Sequence, residues 1–151
     1  MSKKKQAEVT VEGLKVAKQT LDKLQDVKII AKNMYWIGWN ADAVDTIIKR
    51  ADRQYSALVK KYGTLDERSG QIQVLNFIDA TDEKGEVIPG QKIINPNVQL
   101  FNDEWEGVLL NVESVTYYEL TSDMFVNSKG EAVDLSLNQV RGLSFMFGEP
   151  L

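Results

Sequence analysis

Two residue types with distinctive chemistry are missing from this sequence of 151 residues, which contains no cysteine and no histidine. Without cysteine there are no disulfides, no thiolate nucleophile and no thiolate metal ligand. Without histidine there is no imidazole metal ligand, no serine–histidine or cysteine–histidine nucleophile, and no side chain that ordinarily titrates near pH 7. An enzyme mechanism would therefore have to be built on carboxylates.

The sequence also lacks the motifs that hold cofactors. Its ten glycines are scattered, with neither a GxGxxG nor a GxxxxGK[ST] arrangement. Four glutamates lie close together in the sequence, but no second acidic cluster at a matching spacing accompanies them: Glu104, Glu106, Glu113 and Glu119. An acid-rich helix start and a solvated face explain them better than a metal site does. We therefore predict no enzyme activity, no cofactor and no metal.

Long apolar runs are absent as well. No segment approaches the roughly 18 apolar residues that a membrane-spanning helix needs. The first residues, Met1 to Gln6, are basic and are followed by no apolar core of a signal peptide. We expect a disordered, solvated tail over residues 1–9, no contact with membranes, and a cytoplasmic protein.

The longest pattern in the sequence is an apolar seam between residues 27 and 62. Its members recur at alternating steps of three and four, which is typical of a helix that packs lengthwise against another helix. They are Val27, Ile30, Met34, Ile37, Ala41, Val44, Ile48, Ala51, Tyr55, Leu58 and Tyr62. The seam predicts one long helix with Asp26 as its N-cap and Gly63 at its C-terminal end, either straight or bent near Gly38.

A straight helix of this length predicts self-association. It would run roughly 54 Å at 1.5 Å per residue, whereas a compact chain of this size has a diameter of roughly 40 Å. The overhanging seam needs cover, and a second copy with an antiparallel long helix is the simplest source. The residues expected at this contact are Trp36, Ile37, Trp39, Ala41, Val44, Ile48, Ala51, Tyr55 and Leu58.

Aromatic residues crowd the first part of this helix. Tyr35, Trp36 and Trp39 lie off the seam, so the helix is apolar around most of its circumference there, as buried helices are. Trp36 and Trp39 share a face, and such residues also dominate binding hot spots. Burial in the core is the favoured interpretation, and it is compatible with a dimer contact.

Shorter elements flank the long helix. A helix is predicted over about 11–24, with Thr10 as its N-cap, because apolar residues recur there at helical spacing and the pattern slips by one residue after Leu24. Beyond Gly63 we predict a strand over 71–78, a helix that Asn102 or Asp103 caps, and a last helix that Ser136 caps.

These elements predict an α+β fold. A long heptad-patterned helix with a short N-terminal helix precedes a small, mainly antiparallel sheet with short helices. We expect a single domain in which the helical part covers residues 10–63 and the mixed region covers residues 64–151.

Charge is divided unevenly along the chain, whose net charge is −4. Residues 1–61 hold 13 Lys/Arg and 7 Asp/Glu (+6), while residues 62–151 hold 5 and 15 (−10). The two halves could attract each other within or between subunits. Acidic residues are interleaved with the lysines of the first half, which favours solvated helix faces over nucleic-acid binding.

The order of segments resembles that of a known group. A long helix ending in Lys-Lys-Tyr-Gly (60–63) is followed by an acidic turn with Asp66-Glu67 and Gly70, a strand, and an acidic and apolar run from Phe101 to Glu113. In this layout the chain resembles small proteins of unassigned function that phages and prophages of Gram-positive bacteria encode. The resemblance implies a helical hairpin with a small mixed region, and a role in binding host or virion components within the host cell.

Three functions follow as expectations. The first is a non-enzymatic homo-oligomer that acts by protein–protein interaction, as an inhibitor of a host factor or as an assembly factor. The second is an oligomeric protein that sequesters a nucleotide-like anion in a pocket between subunits, held by Trp, Tyr and Lys. The third is a nucleic-acid binder that uses the basic helical half.

Overall fold

The computed structural model describes residues 3–148. Within these residues helices account for 49% and strands for 25%, and the sheets are antiparallel, so the predicted α+β class is confirmed. The elements are β1 (Lys4–Thr10), α1 (Val11–Leu24), α2 (Ala31–Tyr62), β2 (Thr64–Asp66), β3 (Gln71–Gln73), β4 (Phe77–Thr81), β5 (Val87–Ile94), α3 (Pro96–Leu109), β6 (Val112–Tyr118) and α4 (Leu137–Gly142), with 3-10 turns at Ser122–Met124 and Ser144–Met146.

The chain divides into two compact units. Unit 1 combines the segment up to Ala51 with the segment from Leu109 onwards, and unit 2 comprises Asp52–Val108. The boundary between the two units falls inside α2. Contacts that the last third of the chain makes with the first third determine this division, and no local break in composition reveals it.

A two-stranded antiparallel sheet begins unit 1, where a disordered tail is predicted over residues 1–9. That prediction is wrong for Lys4–Thr10, which forms β1 and pairs with β6 so that Ala7 lies opposite Val115; residues 1 and 2 lie outside the described part. The half-buried side chains of Ala7 and Val9 alternate with exposed neighbours, which is the period of a strand with one covered face.

One apolar core holds unit 1 together. It combines side chains of α1, α2 and β6 with residues that follow β6, including Leu120, Phe125, Leu143 and Met146. The predicted N-cap of α1 is confirmed, because the Thr10 hydroxyl accepts the Gly13 N–H at 3.1 Å. The predicted cap of the last helix is also confirmed, with Ser136 and Gln139 forming a reciprocal capping box.

A single buried amide joins α2 to β6. The Asn40 side chain is 0% exposed. Its Nδ2 donates to the Tyr118 carbonyl at 2.9 Å, and its Oδ1 accepts the Tyr118 N–H at 2.7 Å. The side chain thus supplies to the end of β6 both hydrogen bonds that a neighbouring strand would supply. These two bonds also fix the position of α2 along the sheet.

The long helix starts later than predicted and ends where predicted. It begins at Ala31, so Asp26 is not its N-cap. The first two residues of the seam lie in the loop before the helix: Val27 packs against the core, and the Ile30 N–H donates to the Val126 carbonyl at 2.9 Å. The helix continues through Gly38 without interruption and ends at Tyr62.

Gly63 ends the helix for a different reason than the one predicted. The glycines with positive φ in the described residues are Gly70, Gly85, Gly90 and Gly130, so Gly63 is not left-handed. A Cβ at Gly63 would clash with the Val59 carbonyl oxygen of the last turn of α2, and would lie 2.7 Å from Ile72 Cγ2 and 3.0 Å from the Gln73 carbonyl oxygen. The end of the helix and the β2–β3 hairpin together therefore require glycine at this position.

Unit 2 contains two separate two-stranded sheets and a helix. Strands β2 and β3 form one antiparallel hairpin, and β4 and β5 form another, with an irregular register between Asp79 and Thr81. The strand predicted over 71–78 is therefore two strands in two different sheets. Helix α3 starts at Pro96 rather than at Asn102 or Asp103, since Asn95 Oδ1 accepts the Asn97 N–H at 3.0 Å and proline suits the first helical position.

Within the described residues, every helix is too short or too polar to span a membrane.

We predict that Asn40→Ala destabilises the protein by about 2 kcal/mol, because the N–H and C=O of the half-buried Tyr118 lose their partners. The free energy of unfolding from urea titrations measures this change. The matched control is Asn138→Ala, an exposed position of α4, which should cost less than about 0.5 kcal/mol. Equal costs for the two variants would show that the Asn40 bonds do not hold α2 to β6.

Candidate functional site

The predicted contact residues of the long helix are mostly covered within one chain. Ile37, Ala41, Val44 and Ile48 belong to the core of unit 1, and Ala51 is buried as well. A second copy could not reach these side chains without opening unit 1. From Ile37 to Ala51 the seam therefore faces the core of its own chain. Self-association stays a prediction, and it would have to use another surface.

The two tryptophans also have partners inside unit 1. The Trp36 and Trp39 rings lie 4.4 and 4.6 Å from the Tyr118 ring, centroid to centroid. Tyr35 meets the Trp36 ring edge-on at 4.9 Å, and the Lys4 ammonium lies 5.6 Å from the Trp39 ring. Trp36 and Trp39 are half-buried, so this cluster continues the core and also leaves aromatic surface accessible.

The last two predicted contact residues, Tyr55 and Leu58, belong to unit 2. Tyr55 is exposed and Leu58 is half-buried. The Tyr55 ring meets Phe101 at 5.5 Å and Trp105 at 4.9 Å, both edge-on. These contacts join the end of α2 to α3. Among the residues predicted to form the self-association contact, Tyr55 therefore combines an exposed ring with a fixed position.

Unit 2 buries very little of its apolar surface. Three of its residues are buried, namely Ala80, Asn95 and Phe101. Nine of its large apolar side chains are exposed: Tyr55, Leu65, Ile72, Leu75, Phe77, Val87, Ile93, Ile94 and Leu100. Apolar side chains that are exposed next to one another, and not singly, mark surfaces that bind other proteins.

Two pairs of apolar side chains face each other across the strands of one hairpin. In the β4–β5 hairpin Phe77 lies directly opposite Ile94, and Ile78 lies opposite Ile93. Since neighbouring residues of a strand point to opposite faces, both faces of this hairpin carry an apolar pair. Phe77 is 61% exposed and Ile94 is 74% exposed. Sequence analysis missed this surface, although the adjacent pairs Phe77-Ile78 and Ile93-Ile94 indicate a strand with two apolar faces.

An ion pair lies beside the most exposed of these apolar pairs. Asp79 and Lys92 are directly opposite each other, two residues along from Phe77 and Ile94 and on the same face. The Lys92 ammonium donates to Asp79 Oδ1. The face therefore presents one apolar patch next to one negative and one positive charge.

A groove adjoins the hairpins in unit 2. It encloses about 440 Å³, and its wall includes Tyr55 and Val59 of α2, Ile72 of β3, and Val98 and Phe101 of α3. Gln73, Asn76 and Asn102 complete the lining, so the groove offers both apolar contact and hydrogen-bonding groups to a partner.

A larger cleft lies in unit 1. It encloses about 790 Å³ between the first turns of α2 and the segment 121–130. Its lining combines the Trp36 ring with the side chains of Lys3, Lys32 and Lys129 and the carboxylates of Glu119 and Asp123. A single chain forms this cleft, so it differs from the ligand pocket between subunits that the sequence predicts.

One ion pair in unit 2 perturbs both of its partners. The Lys61 ammonium lies 2.9 Å from Glu104 Oε1 and joins the end of α2 to α3. This hydrogen bond raises the pKa of Lys61 and lowers the pKa of Glu104, since it favours the charged form of each. The pair is exposed, so water and salt screen most of its contribution to stability.

The acidic side chains form no metal site in the described part of the chain. In residues 3–148, no three acidic side chains converge closely enough to hold a metal ion. Glu104, Glu106, Glu113 and Glu119, the glutamates considered from the sequence, form no such group. Comparisons with protein families, with curated proteins and with solved structures found no match to this chain.

We predict that Glu104→Gln lowers the melting temperature slightly near neutral pH and has no effect in strong acid. Because the folded pKa of Glu104 lies below its ordinary value of 4.5, the pair stabilises the protein above that value and stops doing so as the pH falls through the folded pKa. Because the folded pKa of Lys61 is raised above 10.5, the benefit also ends as the pH rises through it. Melting curves of both proteins across this range test the prediction, and a difference that persists in strong acid would contradict it.

Proposed function

We propose that this protein is a phage-type interaction protein that forms homo-oligomers and acts by binding a host or viral protein, as an inhibitor or an assembly factor, without catalysing a reaction. The observation that carries the proposal is the uncovered apolar surface of unit 2. The layout of the chain, which resembles that of small phage and prophage proteins, supports the same role.

The energetics of unit 2 favour an associated state. A hairpin of two strands is marginally stable in water unless another element covers its apolar face. Burying a side chain such as Phe77 or Ile94 contributes about 1.5–3 kcal/mol. Unit 2 has three buried residues against nine large exposed apolar side chains, so a partner that covers them would add apolar burial that its own core does not provide.

The hairpin face suits a second copy of this chain. In a two-fold contact, if one residue of the first copy contacts a second residue of the other copy, the reverse contact between the two copies forms as well. If two copies pack these faces together about an axis parallel to the strands, Phe77 of each copy lies against Ile94 of the other, and Asp79 of each copy comes beside Lys92 of the other. The contact would thus bury apolar surface and match opposite charges at its rim, where charges set specificity more than affinity.

We predict that the wild-type chain has a mass in solution of at least twice its 17.0 kDa, and that Phe77→Glu/Ile94→Glu reduces the mass to that of one chain. Light scattering after size exclusion gives the mass directly. Both positions are exposed, so the variant keeps its fold.

The matched control is Leu137→Glu. Leu137 is as exposed as Phe77 but lies in unit 1. This variant should keep the wild-type mass. A wild-type chain that is monomeric at every concentration, or an oligomer that the double substitution leaves intact, would reject the proposed contact.

A charge exchange tests the two-fold arrangement. We predict that Asp79→Lys and Lys92→Asp each weaken self-association, because each variant places like charges side by side in its own oligomer. Mixing the two variants should restore self-association, since the lysine introduced in one variant then faces the aspartate introduced in the other. Light scattering of the separate and mixed proteins measures the effect, and a mixture that stays as dissociated as its components would contradict a contact at this face.

A further inference from the structure

The cleft of unit 1 is built before any ligand enters it. The Ile30 N–H donates to the Val126 carbonyl at 2.9 Å, and Asn33 Nδ2 donates to the Met124 carbonyl at 2.8 Å. These two bonds fasten the start of α2 to the segment that forms the opposite wall. The space of about 790 Å³ between the walls falls within the range of small-molecule sites.

Positive charge enters the cleft from three separate segments. Lys3 precedes β1, Lys32 lies in the first turn of α2, and Lys129 lies in a turn that Asn127 shapes by accepting the Lys129 N–H at 2.9 Å. Within residues 3–148, no carboxylate lies within ion-pair distance of any of these three ammonium groups. They are therefore available to an anion.

The acidic side chains of the cleft leave an excess of positive charge. Glu119 Oε1 lies 3.1 Å from the Lys5 ammonium, so a cation already compensates this carboxylate. Asp123 is the other acid of the lining. Three lysines against one uncompensated carboxylate favour a ligand that carries negative charge.

An aromatic surface lies in the same cleft. Trp36 lines it beside the apolar side chains of Ile30, Met124 and Val126. The contacts of the Trp36 ring with Tyr35 and Tyr118 hold it in place. Since Lys32 and Trp36 are four residues apart on one helix, their side chains lie on the same face. A flat ring that stacks on Trp36 would thus keep an attached anion near Lys32.

We propose that this cleft binds a mononucleotide, with the base against Trp36 and the phosphate among Lys3, Lys32 and Lys129. Stacking on an aromatic ring tolerates different bases, and lysine recognises phosphate as a point charge. The proposal concerns unit 1 and is independent of the contact proposed for unit 2.

Isothermal calorimetry of the full chain with three probes tests this inference. AMP should bind more tightly than adenosine and more tightly than inorganic phosphate, each by about tenfold or more, because AMP alone uses both parts of the cleft. Raising the salt concentration should weaken AMP binding. No binding of AMP, or phosphate binding as tightly as AMP, would overturn the proposal. A single-stranded oligonucleotide that binds more tightly than AMP would overturn it in favour of a nucleic-acid site.

Lys32→Gln/Lys129→Gln supplies the residue-level test. Both side chains are exposed, so the variant folds, and its affinity for AMP should fall about tenfold or more while its affinity for adenosine is unchanged. Lys23→Gln, an exposed lysine at the end of α1 outside the cleft, is the matched control and should leave AMP binding unaltered. Equal AMP affinities for the wild type and the double variant would overturn the assignment. Phe77→Glu/Ile94→Glu should still bind AMP, which separates this site from the oligomer contact.

Discussion

Every sheet in the described part of this chain has only two strands, and that constraint governs what the rest of the structure must do. Two strands cannot bury an apolar face by themselves, so another element has to cover them. In unit 1 the helices α1 and α2 and the residues after β6 cover the β1–β6 sheet, and Asn40 completes its hydrogen bonding. In unit 2 the hairpins keep large apolar side chains exposed, among them Phe77 and Ile94. The same requirement thus produces a closed core in one unit and an open surface in the other.

Local signals predicted the parts of the fold that local interactions stabilise. The bounds of α1 follow from the Thr10 cap and the helical spacing of its leucines, and both are intrinsic to fourteen neighbouring residues. Strand β1 could not be predicted in this way, because its partner β6 lies about a hundred residues further along, with Lys4 opposite Tyr118. The start of α2 was misplaced for a similar reason, since the bond from Ile30 to Val126 competes with a cap at Asp26. Long-range pairing therefore decided the elements that the sequence left ambiguous.

The candidate sites show what an apolar pattern can and cannot specify. The seam from Ile37 to Ala51 indicates correctly that one face of α2 is covered, but the spacing is the same whether a second copy or the same chain supplies the cover. The structure assigns that cover to unit 1 itself. The apolar surface of unit 2 is predictable from the sequence, because Phe77-Ile78 and Ile93-Ile94 place apolar side chains on both faces of a hairpin. The cleft of unit 1 is not predictable from the sequence, because Lys3, Lys32 and Lys129 come together only in the folded chain.

Amide hydrogen exchange at two protein concentrations tests most directly whether unit 2 completes its apolar core by association. If it does, the amides of β4 and β5 exchange fast in the dilute protein and become protected in the concentrated protein, because association removes their hairpin from water. The amides of β1, β6 and the part of α2 in unit 1 should be equally protected at both concentrations. Protection of β4 and β5 that is independent of concentration would contradict the account, because unit 2 would then be stable with its apolar surface exposed.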